Sequence, residues 1–331
     1  MSDQPLKLND YQRQPELTST RDGFGRGLVD TAKADDRVVG LCADLTESVR
    51  FQWFKEAFPE RFIEVGIAEQ NLMGLAAGLA LAGRVPFAGS YAAFSPCRNF
   101  DQLRVSVCYS NLNVKAVGGH AGLTVGPDGA THQALEDIAI TRALPNLTVI
   151  VPCDDRQAYR ATLTMAQEKG PMYLRLSREK TPRLTGPHTP FELGRGQLFR
   201  AGGDVTLVGT GIMTVAALRA ADELAKLSIS ARVINIHTIK PIDQQLITQA
   251  ARETGALVTA EEHQLHGGLG GAVAEVLAER WPVPLERVAV QDTFGESGPA
   301  QELLKKYGLT SQDIVKAAQK VIKRKNSKSE V

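Results

Sequence analysis

The chain has 331 residues, 43% of them hydrophobic, with 38 Lys and Arg against 37 Asp and Glu. That length suits about two domains, and the composition excludes a disordered chain. A formal charge of +1 gives no electrostatic drive toward nucleic acid or a membrane surface. Uncharged runs such as Val205–Leu218 are too short to span a bilayer. The polar stretch Met1–Pro15 has no apolar core for a secretory signal. Cys42, Cys97, Cys108 and Cys153 form no CxxC pair, which reads as free thiols in a reducing cytoplasm.

Apolar runs alternate with helical patterns. Strands are expected at Arg37–Cys42, Arg61–Val65, Val85–Ala88, Val114–Val117, Leu147–Val151 and Met172–Leu176. Helices are expected at Ala68–Ala82 and Ser95–Tyr109. This texture predicts a parallel sheet with covering helices. From Glu179 to Gly196 three prolines, with two glycines before Arg195, read as a linker. Beyond it, strands are expected at Asp204–Gly209, Ala231–Ile236, Ala256–Ala260 and Leu285–Val290. Helices are expected at Ile212–Leu227, Leu269–Arg280 and Ser311–Lys323, the last with Ser311 as N-cap and Asp313 in its first turn. The Lys- and Arg-rich stretch Lys323–Val331 reads as a solvated, frayed end. The fold class is therefore α/β, with two doubly wound domains. The divisions are 15–180, a linker at 181–196, 197–324 and a flexible tail at 325–331.

Several segments could carry chemistry. In Glu64–Asn71 (EVGIAEQN), Glu69 falls in the first turn of a helix after a strand. Such a carboxylate suits the helix dipole, and it also lies where α/β folds bind ligands. Tyr91 and Phe94 follow a strand and suit either a core or a stacking wall. The Gly-rich loop from Gly118 to Gln133 carries His120, Asp128 and His132. A surface turn and a ligand-binding loop both fit it, but its spacing matches no zinc pattern. Arg21, Ser48, His120 and Arg178 lie at or near separate element ends. Together they would suit a phosphate or carboxylate. Gly209-Thr210-Gly211 lacks the rest of a dinucleotide fingerprint and reads as a tight strand–helix turn. Glu261–Gly268 (EEHQLHGG) reads as a capping loop that could edge a site.

The ordered set ADLTES (Ala43–Ser48), GIAEQN (Gly66–Asn71), GLTVGPDGATHQ (Gly122–Gln133), LRLSR (Leu174–Arg178) and DTFGESG (Asp292–Gly298) resembles the C-terminal half of transketolase. The likeness runs from about Thr18 to Val321 and is strongest to split transketolases, whose C-terminal section is a separate polypeptide. The resemblance implies a thiamine-diphosphate pyrimidine-binding domain followed by the transketolase C-terminal domain. It places Glu69 on the glutamate that touches the aminopyrimidine, Phe94 on the ring-stacking aromatic and Tyr91 on a neighbouring aromatic position. Asp44 falls in the segment near the cofactor. His120, Asp128 and His132 fall on sugar-contacting positions, and Arg21, Ser48, His120 and Arg178 on the set that holds the sugar phosphate. Glu69, His120 and His132 are thereby the implied catalytic residues. Cys97 stands where many relatives carry a third aromatic.

The family's GDG…Asn signature for Mg2+ (or Ca2+) and the cofactor diphosphate does not occur in the chain. The resemblance therefore implies half a cofactor site, an N-terminal partner subunit holding the metal, and an α2β2 heterotetramer. The implied reaction is transfer of a two-carbon ketol unit from a ketose phosphate to an aldose phosphate. Alternatives are the β chain of a 2-oxoacid dehydrogenase, a 1-deoxyxylulose-5-phosphate synthase-like enzyme, and a non-catalytic half-subunit. The histidine-bearing loop favours the sugar enzyme, because a 2-oxoacid needs no array of hydroxyl readers.

Overall fold

Short β-branched runs form parallel strands because intervening helices cover both sheet faces. In the computed structural model, which describes residues 4–13 and 15–327, the first half runs as follows. It comprises β1 (Leu17–Thr18), α1 (Thr20–Ala34), β2 (Val38–Cys42), α2 (Gln52–Ala57), β3 (Phe62–Glu64), α3 (Glu69–Leu81) and β4 (Val85–Tyr91). Then come α4 (Phe100–Gln102), β5 (Lys115–Gly119), α5 (Asp137–Arg142), β6 (Thr148–Ile150), α6 (Asp155–Gln167), β7 (Met172–Arg175) and β8 (Thr181–Pro182). The second half holds β9 (Gln197–Arg200), β10 (Val205–Gly209), α7 (Met213–Lys226), β11 (Ala231–Asn235), β12 (Thr238–Lys240), α8 (Gln244–Thr254) and β13 (Leu257–Gln264). It ends with α9 (Leu269–Arg280), β14 (Leu285–Val290), α10 (Ala300–Lys306) and α11 (Ser311–Ser327).

The first sheet has the order β12-β6-β7-β5-β4-β2-β3 and the second β14-β13-β10-β11-β9. Strands β3, β2, β4, β5, β7 and β6 are mutually parallel. Strand β12 comes from the second half yet pairs antiparallel with β6. One apolar cluster spans both halves, from Leu41, Leu72 and Val149 to Ile236, Ile247 and Val273. The second half is thus packed as a backing to the first.

Four stretches differ from expectation. Helix α1 carries Gly23, Gly25 and Gly27, which give it a poor helical signature. It forms because it lies directly on α6: a Cβ at Gly23 would collide with the Asp155 carbonyl oxygen. The expected helix Ser95–Tyr109 is instead a turn, the single turn α4 and a π-helical run at Leu103–Tyr109. Asn99 bonds Ser95 Oγ and the Glu69 carbonyl, so the turn is tied to the start of α3 rather than to a helix of its own. The Pro-rich segment after Glu179 is strapped down. Strand β8 pairs with β1, and the backbone N–H groups of Leu184 and Thr185 donate to Asp154. Helix α11 is capped by Thr310 rather than Ser311: the Asp313 carboxylate accepts from Thr310 N at 3.2 Å and from Thr310 Oγ1 at 2.6 Å. The helix runs on to Ser327, with Lys325 bonded to the Thr254 carbonyl. Residues 328–331 of the expected tail lie outside the described residues.

Candidate active site

The parallel strands deliver their side chains to one edge. Asp44 follows β2, Glu69 opens α3 after β3, Tyr91 ends β4, His120 follows β5 and Arg178 follows β7. This is the carboxyl edge, where open α/β sheets bind ligands. Glu64 fixes two of the loops. One of its carboxylate oxygens accepts from the N–H groups of Asp44 at 2.8 Å and Gly66 at 3.0 Å, and the other from Thr46 Oγ1 at 2.7 Å. Asp44 is exposed and held at φ +56°.

Glu69 is the first residue of α3, and its side chain is only 1% exposed. Arg98 Nη1 donates to its Oε2 at 2.9 Å. Among the described residues, Oε1 accepts no hydrogen bond. The Arg98 guanidinium also lies over the Phe94 ring, 4.5 Å from its centroid. The turn that replaced the expected helix therefore supplies both the aromatic and the cation beside the carboxylate.

Four rings form the wall. Tyr91 and Phe94 stack at 6.1 Å and 15°. His120 stacks on Tyr91 at 4.0 Å, and His132 stands edge-on to Phe94 at 5.3 Å. His120 is buried, and its Nε2 lies 3.4 Å from Arg21 Nη1. A guanidinium only donates, so Nε2 is the acceptor. The proton of the neutral ring then sits on Nδ1, which is buried without a partner. Burial, reinforced by the Arg21 and Arg178 charges, pushes the imidazole down to about 3, so it is neutral at physiological pH.

A basic cluster flanks this histidine. Arg21 Nη1 donates to the Ser48 carbonyl at 3.0 Å, while its Nε is buried without a partner. Burial, with Arg50 nearby, lowers the Arg21 guanidinium below its ordinary value. Arg178 donates to the Val125 carbonyl at 2.6 Å and stands 3.8 Å from Asp128.

The expected cofactor and sugar residues gather around this edge, with Arg21 reaching it from α1, although their contacts are not those that a shared phosphate clamp alone would suggest. Ser48 gives Arg21 its carbonyl rather than its hydroxyl, and Asp128 faces Arg178. Sequence reasoning missed Arg50, held at φ +69° and bonded to Asp22 at 2.6 Å. It also missed Glu64, Arg98 and Asn99. Of these, Arg50 was within reach, two residues beyond Ser48. Cys97 is half-buried, and burial pushes its thiol well above the ordinary range.

The first half matches the model for the transketolase pyrimidine binding domain over residues 17–183, and the second the transketolase C-terminal domain over 194–314. The chain is 46% identical over 306 residues to a 6-deoxy-6-sulfo-D-fructose transketolase subunit of Clostridium sp. (strain MSTE9), covering 92% of this chain and 95% of that one. It is 35% identical over 309 residues to an apulose-4-phosphate transketolase subunit of Phocaeicola vulgatus, covering 93% and 99%. A solved structure described as a split gene transketolase, inactive beta4 tetramer, superposes with a TM-score of 0.85 at 47% identity, covering 92% and 98%. Two matched domains in sequence and full-length likeness to separate subunits lead to one conclusion: the chain belongs to the transketolase family, as a split-type subunit.

Proposed function

We propose that this chain is the C-terminal subunit of a split transketolase, binding the pyrimidine end of thiamine diphosphate and reading an anionic sugar. The observation that carries the reading is the pairing of two environments on one sheet edge. One is a buried carboxyl, Glu69, beside stacked aromatics. The other is a neutral His120 with a free N–H among arginines. The residues fit the cofactor's ring: Glu69 keeps one oxygen open, and Phe94 offers an aromatic face. Ile67, two residues before Glu69, is 73% exposed, and Leu81 at the far end of α3 is 74% exposed. A Cβ at Gly74 or Gly78 on the same helix would meet nothing within 4 Å. An apolar surface so close to the carboxylate suits coverage by the N-terminal subunit, to which we assign Mg2+ and the diphosphate, within an α2β2 assembly.

Thiamine diphosphate, when bound, supplies a nucleophilic carbon and an electron sink. The chain's own residues supply orientation and proton control. Glu69 would hold the pyrimidine ring through its open oxygen, in a pocket whose low dielectric would strengthen that bond. Phe94 and Tyr91 exclude water and fix the ring plane. The Nδ1–H of His120 donates to a sugar hydroxyl or to the developing oxyanion, with His132 on the facing side. Arg21, Arg178 and Arg50 receive the sugar's terminal anion. The sulfo and phospho sugars in the relatives' names both carry such a group.

The test is reconstitution with the N-terminal subunit, thiamine diphosphate and magnesium, with fructose 6-phosphate and 6-deoxy-6-sulfofructose as donors. Ketol transfer by the complex, and none by this chain alone, is expected. Robust turnover by the isolated chain, or turnover of 2-oxoacids in place of sugars, would overturn the reading.

A further inference from the structure

Strand β13 of the second domain ends in adjacent carboxylates that do different work. Glu261 accepts from the N–H groups of Leu269 at 2.6 Å and Gly270 at 2.7 Å, which caps α9. Glu262 points the other way, across the domain boundary. It is 3% exposed, and its Oε1 accepts from the Thr124 N–H at 2.5 Å. Gly122 sits at φ +89°, and a Cβ there would collide with the Glu262 carboxyl carbon. The loop's glycine is therefore where the carboxylate presses in. Arg175, itself paired with Asp137 at 2.8 Å, donates to the Glu262 carbonyl and holds its backbone against β7.

This grip lies between the two histidines of the site. His120 is two residues before Gly122, and His132 is eight residues after Thr124. The rest of the loop is also fixed from the second domain. Gln133 Nε2 donates to the Glu296 carbonyl at 2.9 Å, and Gly298 N to the Gly126 carbonyl at 3.4 Å. Glu262, however, is the carboxylate that enters the loop. Its Oε2 is buried without a partner. A residue that served the fold alone would have both oxygens satisfied, as Glu261 does.

We infer that Glu262 is a positioning residue for sugar binding: the second domain uses it to hold Gly122–Thr124, and thereby His120 and His132, in register with the aromatic wall. The inference rests on the proposed sugar-reading role of that loop. It assigns the C-terminal domain a part in substrate binding without any contact to substrate.

The test compares Glu262→Ala and Glu262→Gln in the reconstituted complex. The hydrogen bond to the Thr124 N–H is lost in the alanine variant, so sugar KM should rise roughly tenfold or more. Affinity for thiamine diphosphate, which Glu69 and Phe94 serve, should stay within about threefold, the split expected when one binding element is disturbed. Glutamine keeps an acceptor and the shape, and should bring KM back to within a few fold. Amide exchange across residues 120–133 should speed up in the alanine variant and recover in the glutamine variant. If the alanine variant does not fold, Glu262→Asp, which withdraws the carboxylate by one methylene, is expected to behave as alanine would. Unchanged loop exchange, unchanged sugar KM, or failure of glutamine to rescue would each overturn the inference. Exchange needs no turnover. A complex that transfers no ketol unit would therefore refute the functional reading while the exchange result still decides whether Glu262 holds the loop.

Discussion

Two helices start at the carboxyl edge of the same sheet, and each has a buried carboxylate at its start. Asp154 precedes α6 and is 0% exposed. Its two oxygens take four hydrogen bonds, from Gln157 N, Leu184 N, Thr185 N and Thr185 Oγ1. Glu69 opens α3, is almost as buried, and takes one side-chain partner, Arg98, on one oxygen. Asp154 is the cap of its helix and Glu69 the first residue inside its own, and the two differ further in satisfaction. Removing a carboxylate from water is costly unless its oxygens are bonded. The fold bonds both oxygens at Asp154 and only one at Glu69. The same split separates His120 Nδ1 and Arg21 Nε, both unpaired, from the fully bonded strap at Arg183–Thr185. On the proposed reading, a bound ligand would complete what this edge leaves unsatisfied.

The sharpest way to break this comparison is to remove each carboxylate. Glu69→Ala should leave the melting temperature nearly unchanged and lower turnover of the complex by ~10²–10⁴, the usual loss for one positioned proton-handling group. Cofactor C2-proton exchange is the direct measurement, and a wild-type rate would refute the assignment. Asp154→Ala should do the reverse. It strands four donors, so stability should fall by about 3 kcal/mol or more, read by denaturant unfolding of the chain. Activity per folded molecule should stay close to normal. If Asp154→Ala proved neutral in stability, satisfaction would not be what distinguishes the two starts.

The anion cluster gives the next largest effect. Arg21 and Arg178 each donate to a backbone carbonyl and face the neutral His120. Replacing either with alanine should lower kcat/KM by about 10- to 150-fold for anionic sugars, from loss of one charge-assisted bond. Hydroxypyruvate with glycolaldehyde lacks the remote anion and should suffer much less. An equal loss on both substrate pairs would show general damage to the site rather than loss of an anion contact.

The sequence made most of this edge legible, for a physical reason. Residues at strand ends are set by period and by turn chemistry, and both can be read locally. Period and turn chemistry placed Glu69, Tyr91, Phe94 and His120 at or just after strand ends, but only the resemblance to transketolase gave them roles. What could not be read was long-range. The glycines of α1 look like helix breakers until α6 is seen to need the space at Gly23 and Gly27, and Trp53 and Arg50 the space at Gly25. The expected helix at Ser95–Tyr109 gave way because Arg98 and Asn99 are drawn to Glu69, 29 and 30 residues earlier. Glu262 lies 138 residues from Thr124, and in sequence it looks like any polar strand end. The segment 181–196 has a linker's composition yet is tied down, because its first residues pair with β1 and the donors of Leu184 and Thr185 end on Asp154.

A third helix start refines the comparison at its small end. Local pattern points to Ser311 as the cap of α11, and the structure places the cap on Thr310. Thr310 and Asp313 exchange hydrogen bonds, with the Asp313 carboxylate accepting from both Thr310 N and Thr310 Oγ1. This is the reciprocal arrangement of a capping box, with aspartate in place of the usual longer acid. Thr310 is half-buried and remote from the arginine cluster, so its loss should touch stability alone. Thr310→Ala should cost about 1 kcal/mol, and Ser311→Ala, already inside the helix, close to nothing. Denaturant unfolding of the two variants side by side decides it. A larger loss at Ser311 would return the cap to the residue that local pattern suggested. The expected order, Thr310 well below Asp154 in cost, would show that a half-exposed cap is worth less than a buried one because water can take over its bonds.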